Sequence, residues 1–493
     1  LVLQPESKDL SQEQLAAEVK SIYTGLTMVE TKCIHIDKAQ QATPRSESKI
    51  TDEHWQAMIA LHRTLLHEHH DFFLASQHPV ASPALKRLAL KYSMPARMWK
   101  HGIHSFLELL RHRLPESLEY MLAFIYLAYQ MMALLYETVG TFRNTWIECL
   151  GDLGRYRMAV EDEDVRDREI WAGVARSWYN KAADTNPAIG RLFHHLAILA
   201  RPNMVQQLYL YNRSLTSIIP FMNARESIVT ILDPVLSENP PLQLSLSDAS
   251  LLKIHALLFT KKELNAVSAA IDIYINGLVS SIAQEGPKWR ETGSFTGIAN
   301  AGVLFDFGNE KNIMRFLFEV RRKTIQQKDP KSMPPGLPED QSLCFDLATQ
   351  LFVSTFKTVL SRRSDKNVLS YVHVSLVLLL NVVHIATAFP KEKYVRALLD
   401  AAPWSELVSY TNALISTEDN LDENYKKIVL FEDGGRPLPE DWMLRGLSWA
   451  FEYCPRAWFK DAAVTEEEER YMEWTSTMKA RVDRVLSLVV QLA

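Results

Sequence analysis

The sequence predicts an all-α protein built from packed helical hairpins, and three observations carry that expectation. Apolar residues recur at three- and four-residue spacing in one segment after another, while alternating β-type stretches of useful length are almost absent. Capping residues and first-turn prolines punctuate the chain where helices would start and stop. Two neighbouring segments repeat a pattern of small and aromatic residues that allows paired helices to approach closely.

At 493 residues and 56.4 kDa the chain exceeds one ordinary core, so two helical domains or one extended helical array are expected. Hydrophobic residues make up 47% and charged residues 23%, the balance of a chain that folds over most of its length. A net charge of −5 and a pI near 6.3 exclude a surface that is entirely a nucleic-acid footprint and leave room for a local basic patch. Cys33, Cys149, Cys344 and Cys454 are scattered and form no CxxC pair, which suits free thiols in a reducing compartment and argues against structural zinc. The chain begins Leu1-Val2-Leu3-Gln4 without a start methionine or a basic signal flank, so targeting information can lie outside it.

Ser11 with Gln14 forms a capping-box pattern before a first helix reaching about Lys38, with Leu15, Val19, Ile22 and Leu26 at helical spacing. A polar segment, 41–48, separates it from a second helix over about Thr51 to Ser76. Pro95 sits at a first-turn position before Met98, Trp99, Ile103, Phe106, Leu107 and Leu110, and Trp99 and Phe106 are expected to share a face. Pro115 is expected to start the next helix at Glu116. The break Glu238-Asn239-Pro240-Pro241 marks a boundary between a domain over 11–237 and a second over 242–493. Within the second, the proline-rich segment from Lys328 to Gln341 and the segment from Asp422 to Pro439 are expected to be loops. A final helix from about Val464 to Leu492 would open on the acidic run Glu466 to Glu469, as the helix dipole favours. The apolar stretch from Val374 to Val383, bracketed by His373 and His384, has the length of a buried core helix and is short for a membrane span.

Ala175, Tyr179, Ala182 and Pro187 follow the second-helix pattern of a tetratricopeptide repeat, and Leu196, Ala197, Tyr211, Ser214 and Pro220 form a weaker adjacent copy. Any packed helical hairpin can place small and aromatic residues this way, but two copies in register favour a repeat. Function still has to come from a site.

One constellation offers such a site. Arg155 and Tyr156, in Gly151-Asp152-Leu153-Gly154-Arg155-Tyr156-Arg157, place a guanidinium and a phenol side by side, and both can donate to a phosphate. Arg97, His104 and Arg111 recur every seven residues along one stripe, with Lys100 one turn before His104. The stripe could complete a cationic pocket or be the solvated face of an amphipathic helix, and Arg155 could equally pair with Asp152 at the surface.

These words resemble the Smg adaptors of nonsense-mediated mRNA decay and the related ever-shorter-telomeres proteins. Trp146 to Arg157 (WIECLGDLGRYR) resembles the family's GD-x-x-RYR helix, and Ala175 to Ala182 (ARSWYNKA) its next repeat helix. Arg191 to Ala200 (RLFHHLAILA) resembles PYNQLAILA, Tyr211 to Leu215 (YNRSL) resembles YYxRSL, and Ala224 to Ile228 (ARESI) resembles the stretch after it. The words run in order over about eighty residues. Farther out, Met98-Trp99 resembles the LW opening of the pocket helix, and Leu438 to Trp442 with Arg445-Gly446 resembles LPED…RGF.

The resemblance implies a 14-3-3-like, tetratricopeptide-like helical repeat domain followed by a helical hairpin (α-α superhelical) domain. It further implies a non-enzymatic adaptor, cytoplasmic and nuclear, that reads phosphoserine or phosphothreonine on a partner such as the up-frameshift RNA helicase. The branch most resembled carries a nuclease domain farther along the chain. The telomerase branch implies a second possibility, a scaffold for single-stranded nucleic acid or a telomerase ribonucleoprotein, and a third is a platform with a degenerate pocket. Arg155 and Tyr156 match the pocket's arginine and tyrosine, and Arg111 supplies a second cation at the spacing 14-3-3 proteins use. His104 falls where the decay adaptors place a lysine, and His194 where they place an asparagine that holds the peptide backbone. Because a histidine with the reference pKa of ~6.5 is only partly charged at neutral pH, these departures predict weaker, pH-sensitive phosphate binding.

Other motifs point elsewhere only weakly. His67-Glu68-His69-His70-Asp71, with His62 upstream, lacks the second histidine of an HExxH zinc helix, and Glu161 to Asp164 lacks the glycine and ligand spacing of a calcium loop. With no P-loop, dinucleotide turn, nucleophile elbow or paired-metal motif, the sequence predicts no enzyme, no metal and no cofactor, and no membrane partner.

Overall fold

The computed structural model describes residues 11–42, 50–237, 244–326, 340–363, 365–417, 431, 436–459 and 473–493. Among them it is helical, with two isolated bridges, Ile189 to Ile219 and Ser217 to Leu447, and no strand. The chain divides into two compact units, Leu1–Thr185 and Asn186–Ala493.

The first unit opens with α1 (Gln12–Ala42) and α2 (Asp52–Ser76), which pack on each other. Ser11 and Gln14 form the expected reciprocal cap: the Gln14 N–H donates to Ser11 Oγ and the Ser11 N–H to Gln14 Oε1, both at 3.1 Å. Next come α3 (Pro83–Lys91), capped by Ser82, and α4 (Met94–Arg97), with Pro95 in its first turn. The helix then passes through a π-helical segment, Met98–His104, before resuming as α5 (Ser105–His112).

That π segment corrects the heptad reading. Gly102 lets α2 come close, since a Cβ there would lie 3.1 Å from Leu66. Nδ1 of the buried His62 sits 3.0 Å from the Gly102 carbonyl, drawing it from the regular ladder, and the Ser105 N–H bonds five residues back to Lys100. Rotation per residue is smaller across a π turn, so Arg97 leaves the face that carries His104 and Arg111. It forms an ion pair with Glu30 of α1 and donates to Tyr23. Trp99 and Phe106 separate for the same reason: Trp99 lies against His104, while Phe106 stacks on His62 and meets Phe124 edge-on.

α6 (Leu118–Thr138) begins at Leu118 and not at the expected Glu116, because the Ser117 hydroxyl donates to Leu110 O at 2.5 Å and holds 113–117 in a turn. α7 (Arg143–Ala159) and α8 (Val165–Thr185) then pack closely. Gly151 and Gly154 permit this approach: added Cβ atoms would lie 2.8 Å from the Tyr179 ring and 3.3 Å from Ala175. Ala175, Tyr179 and Ala182 of the repeat pattern are all buried.

The second unit starts with α9 (Gly190–Leu199), α10 (Met204–Thr216) and α11 (Ala224–Leu236), followed by α12 (Leu246–Thr260), α13 (Val267–Glu285) and α14 (Trp289–Leu304). Beyond these lie α15 (Ile313–Ile325), α16 (Asp340–Leu360), α17 (Leu369–Ala388), α18 (Lys393–Ala401), α19 (Trp404–Thr417), α20 (Pro439–Leu444) and α21 (Thr475–Leu492). The division between units precedes the expected boundary because α10 is buried against α14, with Tyr209 stacked on Phe295 at 4.7 Å. The segment 238–241 itself, most of the two expected loops and the acidic start of the expected last helix lie outside the described residues. The apolar run of α17 is a core helix, with Val374 to Val382 buried in this unit.

The family words of this unit meet in its core. Buried Arg213 stacks on Phe193 and donates to the carbonyls of Trp442 and Arg445, both at 2.9 Å. Gly446 occupies a left-handed φ of +85°, and a Cβ there would collide with the Pro187 carbonyl. Glu440 pairs with Arg481 and His373, and Asp441 with Arg484, all of them buried. A buried ion pair needs such full hydrogen bonding to offset its desolvation.

Candidate functional site

In the first unit, α5 and α7 bring most of the predicted site residues together. His104, the last residue of the π segment, is followed at four- and three-residue spacing by Glu108 and Arg111 of α5, so the three share a face. That face meets Tyr156 of α7. The Tyr156 hydroxyl donates to Glu108 Oε1 at 2.7 Å, while Arg111 donates from Nε and Nη2 to Glu108 Oε2 at 3.2 and 2.6 Å. The His104 ring stands edge-on to the Tyr156 ring, 6.4 Å between centroids.

Arg155 lies beside this group, its guanidinium carbon 5.5 Å from the centre of the Tyr156 ring. It donates from Nη2 to Asp152 Oδ1 at 3.2 Å and from Nε to the Tyr179 hydroxyl at 3.4 Å, and Tyr179 itself donates to Asp152 Oδ1 at 2.6 Å. The Arg155–Asp152 pair that the three-residue spacing allows is therefore present, and it orients the arginine next to Tyr156. A guanidinium carries five N–H donors, so Nη1 of both Arg155 and Arg111 has no partner among the described residues.

Electrostatics follow from this geometry. Burial alone would raise the Glu108 carboxyl, but the Tyr156 hydrogen bond and Arg111 outweigh it and hold the group below its ordinary value, so it is a carboxylate at neutral pH. Burial and the same bond to Glu108 push the Tyr156 phenol up, which keeps its proton available for donation. Tyr179 is raised by burial and by Asp152.

Lys100 is exposed on the π segment, and its carbonyl accepts from the Ser105 hydroxyl at 2.7 Å. His194 belongs to the second unit, on α9, where Nε2 lies 2.9 Å from Ser227 Oγ and its ring rests against Phe221 and Tyr211. Glu108 and Tyr179 are the members of the group not picked out from sequence. The spacing of Glu108 from His104 and Arg111 was a usable signal for it. The histidine-rich stretch of α2 disperses to separate partners: His62 to Asp37, His69 to the Leu65 carbonyl, His70 to Asp71. In the acidic run, Glu161 accepts from Arg157, and Asp164 accepts the Arg166 and Asp167 N–H groups at the start of α8.

Fold and site define an all-α helical-repeat protein that carries an oxyanion held by an arginine and a tyrosine. Residues 175–454, more than half of the chain, match the model of the Est1 DNA/RNA binding domain, and the chain belongs to that family. It is 36% identical over 88 residues to the telomerase-binding protein EST1A of Danio rerio, and 39% identical over 87 residues to the nonsense-mediated mRNA decay factor SMG7 of Arabidopsis thaliana. Each match spans 17% of this chain but only 5% and 8% of those proteins. The crystal structure of Est1 and Cdc13 superposes with a TM-score of 0.57 over 94% of both chains at 10% identity, a likeness of fold.

Proposed function

We propose that the chain is a non-enzymatic adaptor whose first unit reads a phosphoserine or phosphothreonine on a protein partner in nonsense-mediated mRNA decay. The observation that carries this reading is the convergence of Tyr156 and Arg111 on a single oxyanion, the Glu108 carboxylate, with the Arg155 guanidinium beside the Tyr156 ring. A phosphate monoester offers the same oxygens to the same donors. The similarity to the nonsense-mediated mRNA decay factor SMG7 of Arabidopsis thaliana supports the decay setting; the phosphorylated RNA helicase of mRNA surveillance as partner, and the cytoplasmic and nuclear location, are what the family resemblance implies. Titrating phosphorylated and unphosphorylated peptides of that partner tests the reading. The expected outcome is binding of the phosphorylated form only, lost on Arg155→Glu by at least about tenfold, the usual scale for a charge-assisted contact. Equal affinity for both forms would end it.

A second reading has its own support: the matched family is named for DNA and RNA binding, and one relative is a telomerase-binding protein. It makes the chain a scaffold at telomerase that holds single strands through local basic patches, with affinity falling steeply as salt rises. No binding of single strands at low salt would remove it.

A further inference from the structure

We propose that Glu108 is the specificity-determining residue of the first unit's pocket: it is an intramolecular ligand that a phosphate monoester displaces and a carboxylate ligand does not. The proposal rests on the phosphate reading above.

Glu108 uses both carboxylate oxygens, Oε1 for the Tyr156 hydroxyl and Oε2 for the Arg111 guanidinium. Those are the donors an incoming oxyanion needs, so the pocket is occupied by its own chain. Because Glu108 lies one turn from both His104 and Arg111 on the same helix, it competes at an effective concentration that a free ligand must exceed. Its side chain is 23% exposed, which leaves a path into solvent when it is displaced.

An aspartate or glutamate on a partner brings two oxygens and one charge, no more than Glu108 already supplies. A phosphate monoester brings a third oxygen and a second charge. These can engage donors that Glu108 leaves unused, the Nη1 group of Arg111 and the Arg155 guanidinium beside the Tyr156 ring. Self-occupation therefore lowers affinity for every oxyanion, and only the phosphate has contacts enough to bind in spite of it. Acidic side chains, abundant on protein surfaces, are kept out.

The test compares N-acetyl-O-phosphoserine methylamide with N-acetylglutamate methylamide, titrated into the whole chain and into its Glu108→Gln and Glu108→Ala variants. Melting curves are recorded first. In the parent chain the phosphoserine probe binds, the glutamate probe does not, and the Glu108 side-chain carboxyl ¹³C resonance shifts as phosphoserine is added. Either variant binds phosphoserine about tenfold more tightly, the gain expected if the open pocket is populated about one part in ten, and gains measurable affinity for glutamate. Phosphoserine binding that appears only in the variants overturns the proposal, because phosphate then fails to displace Glu108 from the parent chain. Equal phosphoserine affinity in parent and variants, or an unmoved Glu108 resonance on binding, overturns the gate and leaves the phosphate reading standing. Absence of phosphoserine binding in all forms overturns the phosphate reading and the gate with it.

Discussion

The Tyr156 hydroxyl and the Glu108 carboxylate meet at 2.7 Å between α7 and α5, and each holds the other in its useful protonation state. Tyr156→Phe keeps the ring and deletes the donor. Loss of a hydrogen bond to a charged acceptor is expected to destabilise the chain by about 1–2 kcal/mol, read from urea unfolding. The pH dependence gives a second reading. Because the folded Glu108 carboxyl lies below its unfolded value, its contribution is complete above the ordinary carboxylate range and is lost as pH falls through the folded value. In Tyr156→Phe the folded value rises toward the unfolded one and that acid-end loss shrinks, which an NMR titration of the carboxyl resolves. Arg155 and Tyr156 were legible in the sequence because they stand adjacent in a distinctive word. Glu108 was spaced to join them, but spacing cannot say whether a helix face meets solvent or a neighbouring phenol.

Between α7 and α8 the close approach is set by glycines, and the two helices test it in opposite directions. Gly151→Ala would place a Cβ 2.8 Å from the Tyr179 ring, pushing away the side chain that helps hold Asp152 and Arg155. Overpacking of this kind is expected to destabilise by about 1–3 kcal/mol. Gly173→Ala, inside α8 with nothing within 4 Å of the added carbon, is expected to stabilise by about 0.5–1 kcal/mol through lower backbone entropy. Thermal melts of both variants check the contrast, and a destabilised Gly173→Ala would contradict it. The same elements mark the limit of pattern reading. The start of α1 was readable to the residue from Ser11 and Gln14, because a cap is a local hydrogen-bond exchange. The π segment was invisible, because its cause is the approach of His62 and Leu66 from another helix. Its consequence, Arg97 turned to Glu30, undid a heptad that looked regular on paper.

Across the chain, stability should depend on pH through histidines that the fold keeps neutral. Burial lowers His255 in the second unit to about 4, with its ring 3.1 Å from Asn300 Oδ1, and lowers His69 in the first to about 4. The unfolded chain takes up these protons near 6.5 and the folded chain does not until about 4, so stability falls as pH drops through that window. For His255 alone the loss is about 3 kcal/mol. Urea unfolding at about pH 7.5 and about pH 4.5 should show it, with a smaller difference in His255→Gln; an unchanged difference would place the dependence elsewhere.

The sequence by itself determined the helical class, most helix positions, the core character of α17 and the family, since periodicity, caps and short words are properties of contiguous residues. Only the tertiary structure decided that α10 belongs with α14, that Arg213 binds the carbonyls of Trp442 and Arg445, and that Glu108 accepts from Tyr156 and Arg111. Each of those facts is a contact between residues far apart in the chain. Local propensity is silent about which of many apolar faces will pair, and the pairing is fixed by shape and by the need to satisfy buried polar groups.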